Sequence, residues 1–235
     1  MKYYFYQMDS FGQVLSSFTS YPIAILDRNI PWKDYTPLDL SISNTELEEL
    51  DITNPDTCQI YIDSILKRND GQVAYGGYLE KRNLYADKAS FSHAPSVQRN
   101  IHLGIDYWCK AGTEVLVPVL GKVHSFKNNN TSGDYGPTII LEHLVHGHPF
   151  YTLYGHLSLD SLEGLYAGRP FEAGTVLGRL GTSDINVNYA PHLHFQLIRD
   201  MKGYTGDYPG VSTALDLDYY RKNCPDPNLL LRLKP

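Results

Sequence analysis

Cysteine is scarce in this chain of 235 residues, and long apolar runs are missing. The three cysteines, Cys58, Cys109 and Cys224, are far apart and odd in number, and no two of them form a Cys-x-x-Cys pair. They therefore build neither a disulfide framework nor a cysteine-based zinc site. No apolar run approaches the roughly 18 residues of a membrane-spanning helix, so we expect no membrane span.

Positive charge is also in short supply. Lysine and arginine number 20 against 26 aspartates and glutamates, which gives a net charge of −6. This balance argues against a protein that binds nucleic acid or an anionic membrane through its overall field. The apolar stretch within residues 1–7 is shorter than the roughly 7–15-residue core of a secretory leader, so the chain as written is expected to be cytoplasmic.

The first 95 residues combine aromatic, strand-like pieces with one clear helix. Asn54 is placed to cap this helix, and Pro55 suits its first turn. Apolar residues then recur at helical spacing, namely Cys58, Tyr61, Ile62, Ile65 and Leu66. We predict a helix over 55–68 in a small α+β lobe, residues 1–95, which holds no dense cluster of reactive side chains and packs on the β-rich part of the chain after it.

From about residue 97 to residue 200, short β-rich runs are separated by glycine-containing turns. The predicted strands cover 113–119, 122–126, 138–143, 150–154, 175–180 and 192–198. No helices alternate with them, so we predict a mainly β domain, residues 96–200, built as a twisted antiparallel sheet or flattened barrel. The sequence Ala-Gly-Thr opens a strand at both 111–113 and 173–175, a faint internal repeat.

The histidines carry the chemical signal, since all but one of the nine lie between residues 102 and 194. His102 and Asp106 are four apart, and His192 and His194 are two apart. Even separations on a strand place side chains on one face, so each pair can converge on one point. A catalytic zinc ion needs three N or O ligands and an open position. His102, Asp106 and one histidine of the second pair supply that set, and His156, at the end of an apolar strand, is a fifth candidate.

A competing cluster is formed by His143, His146 and His148. The last two flank Gly147 in a turn that would hold a metal poorly, so we interpret this cluster as exposed turn residues. His124 in mid-strand and His93 before a proline-containing linker are predicted to be structural.

The remaining features offer less chemistry. Cys109 falls on the opposite strand face from Asp106 and is predicted to be a small buried hydrophobe. Residues 201–235 are predicted to form a packing tail with a short closing helix around 215–220.

Three separated motifs follow one another between residues 99 and 198. They are His-Leu-Gly-Ile-Asp at 102–106 with Ala-Gly-Thr, Val-Pro and Gly-Lys-Val after it, Tyr-Gly-His-Leu at 154–157, and Pro-His-Leu-His-Phe at 191–195. Together they resemble the lysostaphin-type zinc metallopeptidases, which include peptidoglycan endopeptidases. The resemblance implies a duplicated barrel-sandwich hybrid fold with a substrate groove. It does not extend to residues 1–95.

The resemblance also assigns roles to individual residues. It implies one zinc ion per chain held by His102, Asp106 and His194, with His156 and His192 as catalytic histidines that do not bind the metal. Either of these two can be the general base. Gln196 stands where the family often has Glu, and the segments 158–169 and 183–190 differ from the usual pattern. These segments wall the groove in the family.

The function expected from this resemblance is that of a zinc metalloendopeptidase. It would hydrolyse peptide bonds through a zinc-bound water, in glycine- or D-alanine-containing peptides such as those of peptidoglycan. The alternatives are an intracellular zinc-dependent hydrolase of a small amide and a non-catalytic regulator on the same fold. The family is mostly exported to the cell envelope. Residues 1–95, His93 included, are expected to lie beside the groove and restrict access to it.

Overall fold

The computed structural model describes residues 10–84 and 98–233. The helices are α1 (Ser10–Ser17), α2 (Pro55–Arg68), α3 (Leu217–Asn223) and α4 (Asn228–Leu231). The strands are β1 (Tyr35–Pro37), β2 (Val73–Gly76), β3 (Ile101–His102), β4 (Ile105–Trp108), β5 (Glu114–Leu116), β6 (Gly121–Asn129), β7 (Gly136–Val145), β8 (His148–Gly155), β9 (Pro170–Phe171), β10 (Val176–Arg179), β11 (His192–Ile198) and β12 (Val211–Ser212). None of the described helices is long and apolar enough to cross a membrane.

One large sheet dominates the fold. Its eight strands lie in the order β1-β2-β4-β11-β8-β7-β6-β9. Only the β1–β2 pair at its edge is parallel, and the other neighbours are antiparallel. This arrangement confirms the predicted mainly β fold, and each of the six predicted strands corresponds to an observed strand.

The internal repeat has a structural counterpart. The strands that come after the two Ala-Gly-Thr sequences, β5 and β10, pair antiparallel with each other in a separate two-stranded sheet. Gly112 and Gly174 both have positive φ, +83° and +76°, a conformation in which glycine carries no steric cost. The two related segments therefore turn into their strands in the same way and meet each other.

Strand β11 is buried on both faces. Leu193, Phe195 and Leu197 point into the largest apolar core, which also contains Val115 of β5 and Leu177 of β10. The alternate residues of β11 point to the opposite face, where they are also buried. This opposite face includes both histidines of the His-Leu-His sequence, so the strand places them together on the side away from the main core.

Residues before the predicted domain boundary at 96 belong to the same sheet. Strand β2 pairs with β4, which places Gly76 opposite Asp106 and Ala74 opposite Trp108. At the other side of the molecule, the Ile23 amide donates a hydrogen bond to the Leu231 carbonyl, and Phe11 of α1 is buried in the main core. Strands β1 and β2 thus extend the sheet, and the residues before them pack on the main core. The division into three domains stays a prediction.

The predicted helix is present as α2. The Asn54 side chain accepts hydrogen bonds from the amides of Asp56 and Thr57, which caps the helix, and Pro55 is its first residue. Its buried side chains pack with Trp108 and Tyr189.

The predicted closing helix is present as α3, but Leu215 lies before it and is 77% exposed. Cys109, predicted to be buried, is only partly buried at the edge of the main core.

Candidate metal centre and active site

Three side chains from β3, β4 and β11 converge on one point. His194 lies directly opposite Asp106 in the β4–β11 register. The Nε2 atom of His102 is 2.8 Å from Nδ1 of His194 and 3.2 Å from Oδ1 of Asp106, and the last two atoms are 3.0 Å apart. All three residues are at most 3% exposed. Among the residues that the structure describes, they form a group able to hold a metal ion.

Gly104 makes this convergence sterically feasible. His102 and Asp106 do not share one continuous strand, as the spacing argument assumed, because Leu103 and Gly104 separate β3 from β4. A Cβ atom on Gly104 would lie 2.7 Å from Cε1 of His194 and 2.7 Å from the carbonyl oxygen of Phe195. Only a residue without a side chain leaves room for the His194 ring at this position.

Each histidine of the group is oriented by its other ring nitrogen. Nδ1 of His102 lies 2.9 Å from the Gly77 carbonyl, to which it donates, so Nε2 faces the group. Nε2 of His194 lies 2.9 Å from Oε1 of Gln196, so Nδ1 faces the group. The amide of Gln196 is itself held, because its Nε2 donates to the Pro209 carbonyl at 3.1 Å. Such hydrogen bonds fix the tautomer in which the inward nitrogen carries a free lone pair.

The donor set fits a zinc ion. Ligand atoms about 2.0–2.1 Å from a tetrahedral zinc are about 3.3–3.4 Å apart, close to the separations observed here. Burial, followed by the charge of Arg82, lowers the pKa of His102 to about 4, so this imidazole is neutral at neutral pH. Burial alone would raise the pKa of Asp106, but its interactions with His102 and Arg82 hold it well below its usual range. The neutral imidazole of His102 and the carboxylate of Asp106 are therefore available as ligands, with the ring of His194 beside them.

The two further histidines lie beside this group. The rings of His156, just after β8, and His192, at the start of β11, have centroids 4.0 Å apart. Nδ1 of His192 donates to the Ala190 carbonyl at 2.7 Å, and the ring stacks on Trp108 with centroids 5.6 Å apart. This leaves Nε2 of His192 available to accept a proton. Burial lowers the pKa of both histidines, that of His156 well below its usual value.

Comparison with known families decides what kind of protein carries this arrangement. Residues 100–205 match the family model described as Peptidase family M23. Residues 100–205 belong to peptidase family M23. The resemblance found in the sequence motifs is thereby confirmed for this segment, and the family that it matches is one of peptidases, which are hydrolases. All five candidate residues lie within this M23 segment (residues 100–205).

Solved structures give weaker similarities. The catalytic domain of the antimicrobial peptidase lysostaphin from Staphylococcus simulans is 23% identical over 52% of this chain and 80% of its own, with a TM-score of 0.35. The catalytic domain of the prophage-encoded M23 protein EnpA from Enterococcus faecalis is 23% identical over 51% of this chain and 87% of the domain, with a TM-score of 0.36. Csd3 from Helicobacter pylori is 25% identical over 53%, with a TM-score of 0.33, and the similar region spans 33% of the Csd3 chain. No curated protein sequence matches the chain.

A cavity of about 460 Å³ opens over the five residues. The M23 segment supplies further walls through the aromatic side chains of Tyr135 and Tyr189. The Tyr135 hydroxyl donates to the Tyr208 carbonyl at 3.0 Å, which ties the loop before β7 to the chain after the M23 segment. A Cβ on Gly155 would lie 2.7 Å from the Tyr135 ring, so this glycine admits the tyrosine.

Residues outside the M23 segment complete the cavity, and sequence reasoning missed them. They are Leu84 and Arg99 before the segment, and Tyr208, Pro209, Gly210 and Val211 after it, with Asp207 at the same edge. The predicted packing tail thus lines the site. Nothing in its sequence pattern indicated this, because the contact depends on folding the chain end back onto the sheet. His93 falls within residues 85–97, outside the described residues, and the expectation that residues 1–95 restrict access to the groove stays a prediction.

The competing histidine cluster does not form, and its interpretation as turn residues was wrong for one member. His143 lies within β7 and is buried, with Nδ1 donating to the Leu120 carbonyl at 3.0 Å and Nε2 2.7 Å from the Thr152 hydroxyl. His146 and His148 are exposed at the β7–β8 turn, as predicted. His124 is partly buried in β6 against the Tyr151 ring.

Proposed function

We propose that this protein is a zinc metalloendopeptidase, with one zinc ion per chain held by His102, Asp106 and His194. The observation that carries this proposal is the convergence of three ligand atoms from three strands, each turned inward and each buried. A catalytic zinc ion is typically held by three protein ligands, all N or O atoms, and keeps a fourth coordination position open. A structural zinc ion is held by four protein ligands. When bound, zinc would polarise the scissile carbonyl and lower the pKa of a water molecule.

We assign proton transfer to His156 and His192. Both rings face the cavity next to the proposed ligands, and both are neutral at neutral pH, so each has a lone pair to accept a proton. His192 is the better oriented of the two, because its bond to the Ala190 carbonyl fixes Nδ1 as a donor and leaves Nε2 toward the cavity. We therefore propose His192 as the general base and His156 as the group that hydrogen-bonds the developing oxyanion.

We propose glycine- or D-alanine-containing peptides, such as those of peptidoglycan, as substrates. The aromatic walls formed by Tyr135 and Tyr189 stand close to the histidines, with ring centroids 5.8 Å and 5.6 Å from His156. Such walls favour residues with small side chains next to the cleaved bond. The motif resemblance to peptidoglycan endopeptidases supports the same substrate class.

The test is hydrolysis by the full chain with one equivalent of zinc. Pentaglycine, a D-Ala-containing stem peptide and an L-Leu peptide of equal length are the substrates, and His146→Ala, in the exposed turn, is the matched control. We expect cleavage of the first two peptides by the wild type and the control, loss of cleavage after chelation, and recovery with added zinc. Cleavage that survives complete removal of metal would overturn the proposal.

The cavity supports a second candidate, a zinc-dependent hydrolase of a small amide. All five site residues are at most 4% exposed, and about 460 Å³ is the volume of a small-molecule pocket. A series of peptides from two to eight residues separates the candidates. A kcat/KM that rises with length supports the endopeptidase, and one that is highest for the shortest amide supports the alternative.

A further inference from the structure

The carboxylate of Asp106 has two oxygens, and they face different partners. Oδ1 points to the two histidines, whereas Oδ2 accepts a hydrogen bond from Nη1 of Arg82 at 2.5 Å. The side chain of Arg82 is fully buried, and that of Asp106 is 3% exposed. A charged bond of this kind between buried groups is strong and directional. It fixes the rotation of the carboxylate and therefore the direction in which Oδ1 points.

Arg82 is itself held on several sides. Its Nε forms a short ion pair with Oε2 of Glu80, and its guanidinium lies 5.4 Å from the ring centroid of Trp108. The other oxygen of Glu80 accepts a hydrogen bond from the amide of Leu40 at 3.0 Å. An arginine can bond two carboxylates through different edges of its planar fork, which a lysine cannot reproduce.

The same short segment orients a second residue of the metal centre. The Gly77 carbonyl accepts a hydrogen bond from Nδ1 of His102, and the His102 amide donates a hydrogen bond to the Glu80 carbonyl at 2.9 Å. Residues 77–82 therefore contact both His102 and Asp106. This segment lies before residue 100, outside the part of the chain that matches peptidase family M23.

The net charge of Glu80, Arg82 and Asp106 also favours a cation beside these residues. Two carboxylates, those of Glu80 and Asp106, surround the single guanidinium of Arg82, so the buried trio carries one net negative charge. A buried charge without compensation is costly. A divalent cation at the point where Oδ1 meets the two histidines would compensate this surplus.

We propose that Arg82, clamped by Glu80, is a positioning residue that aims Asp106 at the metal, so that residues 77–82 form an outer shell that the M23 segment alone does not contain. This inference rests on the proposed function only in that the three residues bind zinc. Loss of a partner in the outer shell of a metal site typically weakens metal binding about 10–100-fold.

The test measures zinc affinity on the full chain by competition with a chromogenic chelator, without any peptide substrate. Arg82→Met removes the bond, Arg82→Lys keeps the charge but not the fork, and Glu80→Gln weakens the clamp. Arg179→Met, which removes an exposed ion pair with Glu114, is the matched control. We expect affinity to fall about 10–100-fold in Arg82→Met and by less in the other two. The control should match the wild type.

A spectroscopic readout separates positioning from general destabilisation. The visible absorption of cobalt(II) bound in place of zinc reports ligand geometry, and we expect it to change in Arg82→Lys while circular dichroism stays that of a folded protein. If Arg82→Met does not fold, Arg82→Lys and Glu80→Gln carry the test. Unchanged or tighter zinc binding with an unchanged cobalt spectrum in the folded variants would overturn the inference. A wild-type chain that binds no zinc would instead overturn the proposed function.

Discussion

His194 and Asp106 are 88 residues apart in the sequence and lie directly opposite each other in neighbouring strands, with Nδ1 of one 3.0 Å from Oδ1 of the other. This pairing is made by the β4–β11 register. A slip of β11 by one residue would turn His194 to the opposite face of the sheet, away from Asp106. Leu193 and Phe195, which are buried in the main core, hold β11 in this register and so keep His194 beside Asp106.

The first prediction separates ligands from catalysts. His194→Ala should lose zinc and turnover together, whereas His156→Ala and His192→Ala should keep zinc and lose about 10²–10⁴-fold in single-turnover rate, the usual cost of removing a general acid–base group. Zinc content and rate are measured on the same samples of each variant. If His192→Ala contained no zinc while His194→Ala remained loaded, the roles of ligand and catalyst would have to be exchanged between these two histidines.

The second prediction concerns Gln196, whose Oε1 accepts a hydrogen bond from Nε2 of His194. Gln196→Leu should weaken zinc binding about 10–100-fold, because the ring loses the partner that fixes its tautomer. It should also reduce the free energy of unfolding by about 1–3 kcal/mol, since a buried N–H is left without an acceptor. Gln196→Glu keeps an acceptor and should bind zinc as the wild type does. Isothermal titration of zinc and urea unfolding check both effects, and equal affinities in all three proteins would contradict the assigned role.

The third prediction concerns the close approach at Gly104. Gly104→Ala should displace His194 and lower zinc affinity, with a loss of about 1–3 kcal/mol in stability from overpacking. Gly147→Ala is the matched control, because its Cβ would meet no atom within 4 Å although φ is +79°. Gly147→Ala should reduce stability only through backbone strain and should leave zinc affinity unchanged. Wild-type affinity in Gly104→Ala would show that the His194 ring has room to move.

The fourth prediction uses His143, which lies far from the metal centre in sequence. Burial lowers its pKa to about 4, while the bond to the Leu120 carbonyl and the neighbouring Glu142 act in the opposite direction. The folded state therefore favours the neutral ring. Its contribution to stability is complete above the unfolded pKa of about 6.5 and is lost as the pH falls toward 4, up to about 3 kcal/mol.

Urea unfolding between pH 7.5 and pH 4 tests this, on metal-free protein. His143→Gln should be less stable than the wild type at pH 7.5 but lose less stability on acidification. His146→Gln, at the exposed turn, should keep the wild-type dependence on pH. Parallel curves for wild type and His143→Gln would show that this histidine does not titrate with unfolding.

Local signals in the sequence were enough for helix α2, for six of the strands and for the residue types of the candidate site. The cap formed by Asn54 and the spacing of apolar residues predicted α2, because both act within a few residues along the chain. Runs of β-branched and aromatic residues between glycine turns predicted the six strands. His192 and His194 lie on one face of β11, as strand parity predicts, whereas His102 and Asp106 converge across the break between β3 and β4.

Other features were decided by packing. The sequence around His143 has the polarity of a turn, but hydrogen bonds with a carbonyl acceptor 23 residues earlier and a hydroxyl nine residues later hold it in the sheet. The cavity wall at Tyr208 depends on a contact with Tyr135, 73 residues away. Such pairs leave no periodic trace in the sequence.

By itself the sequence determined which residue types meet at the candidate metal centre and which strand carries His192 and His194, because motif spacing and side-chain parity are properties of the local chain. Only the tertiary structure decided which residues orient the side chains of His102 and Asp106. Arg82 and Gly77 reach Asp106 and His102 across 24 and 25 residues, through the pairing of β2 with β4. An arginine in a polar stretch resembles a solvated surface residue, and it becomes an internal support only when the sheet forms around it and two carboxylates replace its water.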